Sequence, residues 1–322
     1  MDATGPGIRH LDNGSRGTGQ QTGTNQSPLP RQRGLHMKKT AVFPYAMTLP
    51  TIILLAFLTI FPLLFTLYYS LTDYYYLASG APKFIGIDNF VKIIKDRYFQ
   101  QAVGNTVRFT LLAVVFETGL GLAIAVLVNS IRRGNKVLRT VVLLPTLLPP
   151  VTVALVWQIM FSNNYGIINK LIGYIGIAPQ NWLLDVRTAF YAILVIDIWQ
   201  YTPFAFLMIY ASIQTVPLGQ YEAATIDGAS RWQQFIFVTL PNIISGIVLV
   251  VLLRTIDTFR LFDKVNILTK GGPANSTATI TQYIYLNGIR NLKVGYGAAA
   301  SLIMTVIVLI LSSVYVKKAF SK

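Results

Sequence analysis

The chain has 322 residues, of which 53% are hydrophobic and only 12% charged, with a formal net charge of +15 at pH 7. Soluble domains carry about twice this charged fraction, so the composition indicates an integral membrane protein and argues against a soluble domain with buried helices. The absence of cysteine excludes disulfides, thiolate catalysis and cysteine-ligated metals.

The N-terminal region, residues 1–36, is rich in Gly, Thr, Gln, Asn and Pro, which predicts a flexible tail. It holds both histidines of the chain, so a histidine site inside the membrane is excluded. The sequence Met37-Lys38-Lys39 before an apolar run is similar to a signal-peptide start. However, that run is too long and no small-residue cleavage site follows it. We therefore predict a membrane domain over residues 37–322, with Met37 as a candidate functional start.

Six apolar runs follow, each long enough for a membrane-spanning helix, which needs about 20 residues. They predict an all-α membrane protein with six transmembrane helices. Prolines recur in these runs, and membrane helices tolerate them when neighbours satisfy the freed backbone groups. The runs cover residues 42–71, 103–130, 140–161, 188–213, 236–261 and 295–316.

Orientation is predicted from the basic clusters at helix ends, RRGNKVLR at 132–139 and Lys317-Lys318. Such clusters favour the cytoplasmic side, which places both termini in the cytoplasm. The loops 72–102, 162–187 and 262–294 then face outward, and they carry more Lys and Arg than Asp. This excess is either unremarkable surface charge or an attraction for an anionic substrate. Because the basic residues flank membrane segments, no nucleic-acid partner is predicted.

Sequence motifs for catalysis are missing. No Gly-Lys dipeptide occurs, so the chain has no nucleotide-binding P-loop. Motifs of zinc peptidases and serine hydrolases are also absent from the sequence. We therefore predict that the chain is not an enzyme and holds no cofactor or metal of its own.

Polar residues inside the apolar runs are costly and usually face a cavity or a partner. Arg254, Asp257 and Thr258 have helical spacing and share one face. A second set lies on the preceding helix at a similar depth. Two interpretations remain open at this point: an internal Arg–Asp pair that locks helices together, or a polar, aromatic pathway for a sugar. The candidate pathway residues are Asp197, Trp199, Gln200, Tyr201, Arg254, Asp257 and Thr258.

The segment 215–241 is a polar interruption between two apolar helices. Pro217 suits a helix start, and the acids that follow are expected near the positive end of that helix. Gly228 permits a sharp turn, and Ser230 can cap the next helix. The residues predict a compact helix–turn–helix on the cytoplasmic side, which is either a docking element or an ordinary loop.

The sequence EAATIDGASRWQQFIFVTLP at 222–241 resembles the EAA loop in permease subunits of bacterial ABC importers. Further stretches are similar to the sugar-import branch, whose members include maltose-type and oligosaccharide permeases. The resemblance implies a type I ABC importer permease fold with a short cytoplasmic coupling helix. The supporting stretches are GIDNF at 86–90, NTVRFT at 105–110, LLPTLLPP at 143–150, YGIINKLIG at 165–173, TVPLGQYEAA at 215–224 and LTKGGPANST at 268–277.

The resemblance also implies partners in a bacterial cytoplasmic (inner) membrane complex: a second homologous permease, an extracytoplasmic solute-binding protein, and two ATPase subunits that bind ATP and magnesium. Segment 215–241, from here on the coupling segment, would dock the ATPase. Glu222 would pair with a basic ATPase residue, and Gly228 would make the turn. The implied coupling residues are Glu222, Ala223, Ala224, Asp227, Gly228, Ala229 and Arg231.

The family's sugar-contacting positions correspond to Asp197, Arg254, Asp257 and Thr258. These positions are more often neutral in maltose-type permeases, so charges here argue against plain maltose. The basic outward loops and Arg254 favour an acidic oligosaccharide or polysaccharide, and the chain also resembles permeases of the alginate-import type. Three alternatives stay open: a permease for a neutral oligosaccharide, an ion-driven secondary transporter, and a membrane scaffold or channel.

Overall fold

The computed structural model describes residues 42–131 and 135–320. The predicted tail 1–36, and Arg132 and Arg133 of the basic cluster, lie outside these residues. The chain divides into one compact unit of residues 1–54 and a second of residues 55–322. The described part of the first unit is the beginning of a single helix, whereas all other elements belong to the second unit.

The described residues form helices, with one isolated bridge between Thr72 and Phe84 as their β-structure. Two of the helices are joined to their neighbours by π-helical turns, Phe235–Thr239 and Tyr285–Arg290. This confirms the predicted all-α class. The helices are α1 (Val42–Ser70), α2 (Asp88–Lys95), α3 (Arg97–Ser130), α4 (Asn135–Leu147), α5 (Pro150–Met160), α6 (Ile167–Tyr174), α7 (Ala189–Gln214), α8 (Leu218–Ile226), α9 (Arg231–Gln234), α10 (Leu240–Phe259), α11 (Asp263–Leu268), α12 (Ile280–Ile284) and α13 (Val294–Phe320).

Within the described residues, five helical stretches are long and apolar enough to cross a membrane. The bent pair α4 and α5 raises the number to six if the pair is one span, so the predicted count holds only in that sense. The helices also extend beyond the predicted runs. For example, α3 begins at Arg97 because the Asp96 side chain accepts a hydrogen bond from the Tyr98 amide and caps it.

The run 140–161 is a broken helix. Helices α4 and α5 meet at an angle of 92°, and the break coincides with Pro149 and Pro150, which cannot donate backbone hydrogen bonds. The Leu148 carbonyl that the break frees accepts a hydrogen bond of 2.9 Å from the Gln200 amide of α7. A neighbouring helix therefore satisfies the backbone where the proline pair interrupts it, as the membrane interior requires.

Small residues set how closely the long helices approach. A Cβ atom on Gly121 of α3 would lie 2.7 Å from the Ala205 Cβ and 2.8 Å from the Phe206 backbone nitrogen of α7. Nearer the C-terminal end of α7, a Cβ on Gly246 of α10 would overlap the Ser212 side chain. Such close backbone approaches are typical of membrane helix packing. They bring α7 into close contact with both α3 and α10, and these three helices carry most of the buried charges.

Candidate functional site

Three buried charges from three different helices meet in the second unit. Arg254 of α10 forms a two-point contact with Glu117 of α3, with Nε at 2.6 Å from Oε2 and Nη2 at 3.1 Å from Oε1. The same Nη2 lies 3.3 Å from Oδ2 of Asp197 on α7. All three residues are fully or almost fully buried. Because two-point arginine–carboxylate pairs are strong and directional, this contact fixes the relative register of the helices.

A fourth buried charge completes the group. Lys264 of α11 forms an ion pair with Asp197 Oδ1, and its side chain is also almost fully buried. The Tyr201 ring lies beside both cations, 4.0 Å from Arg254 Cζ and 4.4 Å from Lys264 Nζ. Two cations, two carboxylates and an aromatic ring therefore balance each other. We call Glu117, Asp197, Arg254 and Lys264 the buried charge group.

Next to the buried charge group lies a cleft of about 80 Å³, which we call the charged cleft. Its wall includes Asp257, whose side chain is 59% exposed and lies 3.6 Å from Arg254 Nη1. The volume is close to the space of two or three liquid waters at about 30 Å³ each, so in this conformation it is too small for a sugar ring. Predicted pathway residues that line it are Asp197, Tyr201, Arg254, Asp257 and Thr258; the other lining residues are Pro150, Arg260, Leu261, Phe262, Asp263 and Lys264.

The remaining two predicted pathway residues lie elsewhere. Gln200 is buried and supports the broken helix through its bond to the Leu148 carbonyl. Trp199 packs edge-on against Trp157, with ring centroids 5.6 Å apart. Neither contributes to the lining of the charged cleft. Adjacent residues on a helix point in different directions. The four predicted pathway residues between positions 197 and 201 of α7 therefore cannot all face one cleft.

The Arg–Asp pair that the sequence left open as one interpretation is present, between Arg254 and Asp197 on neighbouring helices, but two further members of the group were missed. Sequence analysis identified Arg254 and Asp197 but proposed no role for Glu117, and it counted Lys264 among the residues of an outward loop. Glu117 is 137 positions from Arg254 along the chain, and no local pattern links the two. One sequence signal could have identified Glu117. A single carboxylate in an apolar run is costly, and this cost predicts that a cation lies nearby.

The coupling segment has the predicted helix–turn–helix form. Pro217 precedes α8, and Gly228 adopts a φ of +76°, a left-handed conformation that favours glycine. The Gly228 and Ala229 amides donate to the Thr225 and Ala224 carbonyls, which closes the helix in a Schellman arrangement. These findings confirm the predicted turn at Gly228.

The second helix of the coupling segment begins with a full capping box. The Ser230 hydroxyl accepts from the Gln233 amide, while the Gln233 side chain accepts from the Ser230 amide. This confirms the predicted cap. The predicted placement of the acids near the positive helix end is wrong, because Glu222 lies in the middle of α8 and Asp227 is its C-cap. The helix begins where Pro217 predicts, at Leu218, but it has only nine residues, so Glu222 lies past its first turn and Asp227 lies at its C-terminal end.

The coupling segment is exposed but well anchored. No residue of α8 is buried, and Glu222, Ala223, Asp227, Gly228 and Arg231 all lie on the surface, with Ala224 and Ala229 half-buried. Other side chains hold α8 to α9 and to the turn and helix that follow. The anchoring bonds are Tyr221 to Thr239 at 2.9 Å, Asn242 to Gln220 at 2.8 Å, and Gln234 to Thr225 at 3.2 Å and to the Ala229 carbonyl at 3.1 Å.

Comparison with known proteins gives a consistent result. The family described as "Binding-protein-dependent transport system inner membrane component" matches residues 117–321. The chain is 35% identical over 279 residues to the trehalose/maltose transport system permease protein MalF of Thermococcus litoralis, covering 87% of this chain and 94% of that protein. It is 34% identical over 272 residues to the sulfoquinovosyl glycerol transport system permease protein SmoG of Agrobacterium fabrum, covering 83% and 87%.

Among solved structures, the chain resembles a bacterial ABC transporter involved in the import of the acidic polysaccharide alginate. The TM-score is 0.77 at 24% identity, with 87% of this chain and 96% of that chain covered. This likeness confirms the fold expected from the sequence. The family match covers the coupling segment and the whole buried charge group, from Glu117 to Lys264.

Proposed function

Since the chain belongs to the family of binding-protein-dependent transport system inner membrane components, we propose that it is a permease subunit of an ATP-driven ABC importer for an oligosaccharide or polysaccharide. The observation that carries this proposal is the coupling segment, a self-capped element between two membrane helices whose α8 has no buried residue. The relatives that support the saccharide class are permeases for trehalose and maltose and for sulfoquinovosyl glycerol.

In this proposal the coupling segment receives force from an ATPase. Glu222 is exposed on α8 and its carboxylate has no ion pair among the described residues, so it is free to meet a basic residue of the ATPase. The capping box and the side-chain bonds to α10 would carry a displacement of α8 directly into the membrane helix. ATP and magnesium would be bound by two partner ATPase subunits, because this sequence has no P-loop.

The chain would form half of the translocation pathway, with a second homologous permease as the other half. Arg254 of the buried charge group lies on α10, the helix that the coupling segment enters. A movement of α10 would therefore disturb the contacts of Arg254 with α3 and α7, and open or close the adjoining charged cleft. Transport would proceed as a shift between states open to either side, with Asp197, Tyr201, Arg254, Asp257 and Thr258 exposed to substrate in one of them.

The surroundings follow from the same proposal. The chain would lie in a bacterial cytoplasmic (inner) membrane with both termini in the cytoplasm, in contact with lipid. An extracytoplasmic solute-binding protein would deliver the saccharide to the outward loops. An acidic saccharide is favoured because those loops carry more Lys and Arg than Asp. A neutral saccharide is the second candidate, supported by the 35% identity to a trehalose/maltose permease.

Coupling is tested by uptake of a labelled saccharide into proteoliposomes that contain the chain with its partner permease, ATPase and binding protein. We expect Glu222→Ala to slow ATP-dependent uptake about tenfold, which corresponds to about 1.4 kcal/mol, and Glu222→Ala with Gly228→Pro to abolish it. The matched control is Asp88→Ala, which removes an exposed carboxylate of α2. Uptake without ATP, or undiminished uptake by the double variant, would refute the proposal.

Substrate charge is tested with the same complex. We expect an alginate tetrasaccharide to stimulate ATP hydrolysis more strongly than maltotetraose when each is presented with the binding protein. Equal stimulation by both would remove the argument from the basic outer loops. Stronger stimulation by maltotetraose would favour the neutral candidate.

A further inference from the structure

A second polar cavity, separate from the charged cleft, lies among the predicted outward loops. Its volume is about 210 Å³. It is enclosed by the start of α3, the loop before α12 and the residues that follow α12. We call it the outer cavity. Its polar lining includes Asp96, Tyr98, Lys270, Asn275, Gln282 and Asn287.

The wall of the outer cavity is held in place by a hydrogen-bond network. The Tyr283 hydroxyl donates to Asp96 Oδ2 and lies 2.8 Å from the Tyr296 hydroxyl, while Asp96 Oδ1 accepts from the Tyr98 amide. Burial, together with these bonds, raises the pKa of Tyr283, so its hydroxyl remains a donor. On the opposite side, the Asn105 amide of α3 bonds the Asn275 and Ala278 carbonyls at 2.9 and 3.0 Å.

The loop that closes the outer cavity has an unusual backbone. Lys270, Ala274 and Asn275 have φ values of 53°, 48° and 57°, a region that non-glycine residues rarely occupy. Residues in this region are strained and persist only where the surrounding structure fixes them. Here the fixing groups are the two Asn105 bonds and the bond of 2.7 Å between the Thr269 and Thr277 hydroxyls. The cavity is therefore preformed.

Two polar groups in the lining lack partners. Gln282 is only 4% exposed, and its Oε1 accepts no hydrogen bond from any described residue. Its Nε2 makes one long bond, 3.4 Å, to Asn266. Lys270 forms no ion pair within residues 42–131 and 135–320. A buried acceptor without a donor destabilises a fold, so a rotation of the Gln282 side chain that brings Oε1 to the cavity surface would let a ligand hydroxyl supply the missing donor.

We propose that the outer cavity is a binding subsite for one pyranose ring of a saccharide. Amides, a carboxylate and an ammonium group suit sugar hydroxyls, and Tyr98, which is 62% exposed, offers an aromatic face to the ring. The volume lies below the roughly 300–1,000 Å³ of sites for drug-sized ligands, which suits one ring and not a whole oligosaccharide. The saccharide class rests on the proposed function, whereas the place and size of the subsite rest on the cavity itself.

The subsite is tested by saturation-transfer NMR on the full-length chain in detergent, with maltotetraose and an alginate tetrasaccharide as probes. We expect Tyr98→Ala and Gln282→Leu each to weaken binding of the preferred probe about five- to tenfold. The matched control is Tyr165→Ala, which removes a 67% exposed tyrosine outside the cavity and leaves binding unchanged. Because Tyr98 is exposed, its variant keeps the fold even if the Gln282 variant does not.

Three results would overturn the subsite: no binding of either probe to the unaltered chain, unchanged binding by Tyr98→Ala, or an equal loss in the Tyr165 control. A fourth result would reassign the cavity to protein docking. In that case the Tyr98 variant would bind the saccharide normally but would bind the saccharide-free solute-binding protein more weakly. If the proposed function is wrong, the unaltered complex will show no ATP-dependent uptake. If the unaltered complex does take up saccharide but Tyr98→Ala binds the probe as well as the unaltered chain does, only the subsite is overturned.

Discussion

The buried charge group and the coupling segment hold their polar residues in opposite ways. In the buried charge group, four ionisable side chains from four helices pair with one another with almost no exposure. In the coupling segment, caps and turns within a few residues satisfy the backbone, and the charged side chains remain exposed. One region thus depends on partners far away in the chain, whereas the other is almost complete in its local sequence.

The difference predicts how each region responds to loss of a single side chain. Removing one member of a buried pair leaves an uncompensated charge and costs about 3–5 kcal/mol. Removing an exposed cap costs about 1 kcal/mol. Substitutions in the buried charge group should therefore lower stability, whereas substitutions in the coupling segment should change coupling to the ATPase with little change in stability.

The largest effect is expected for Arg254→Ala, which strands Glu117 and takes one of two cations from Asp197. We expect a loss of about 3–5 kcal/mol, seen as a marked fall in the thermal midpoint and in the yield of monodisperse protein after detergent extraction. Asp257→Ala, which removes a mostly exposed carboxylate from the same face of α10, serves as the control. If both variants unfold at the same thermal midpoint, the buried charge group does not stabilise the fold.

A smaller effect is expected where a neutral side chain satisfies the broken helix. Gln200→Leu keeps approximate volume but removes the donor to the Leu148 carbonyl, so a loss of about 1–3 kcal/mol in stability is expected. The same change at Gln214, whose bond to Asn129 is exposed, is the matched control and should cost little. Thermal unfolding of both variants measures the difference, and equal midpoints would show that the proline break needs no partner.

The two regions also differ in how far the sequence predicts them. Gly228 and Ser230 were predicted correctly because turn and cap preferences act over a few residues. For the buried charge group, helical spacing placed Arg254 beside Asp257, but Arg254 makes its closest contact with Glu117, on another helix. Periodicity identifies which face of a helix is polar, and only the packed structure decides which distant helix meets that face.

The same limit explains the other errors of prediction. Six apolar runs were recognised by length and hydrophobicity, yet the 92° bend between α4 and α5 depends on whether a neighbour can satisfy the freed carbonyl of Leu148. The short helices α2, α6, α11 and α12 were assigned to loops because they are far shorter than a membrane span. The outer cavity was not predicted, since Asp96 and Gln282 meet only in the folded chain.

The smallest effect is expected for Ser230→Ala in the coupling segment. The change removes the hydroxyl half of the capping box and costs about 1 kcal/mol locally, whereas Ser230→Gly costs only a few tenths. Because neither α8 nor the capped helix α9 has a buried residue, neither variant should lower the thermal midpoint of the membrane domain. If the segment transmits force as a rigid body, Ser230→Ala will slow ATP-driven uptake more than Ser230→Gly while stability stays equal. Equal uptake by both variants would mean that the anchors at Thr239 and Asn242 suffice and that the cap plays no part in coupling.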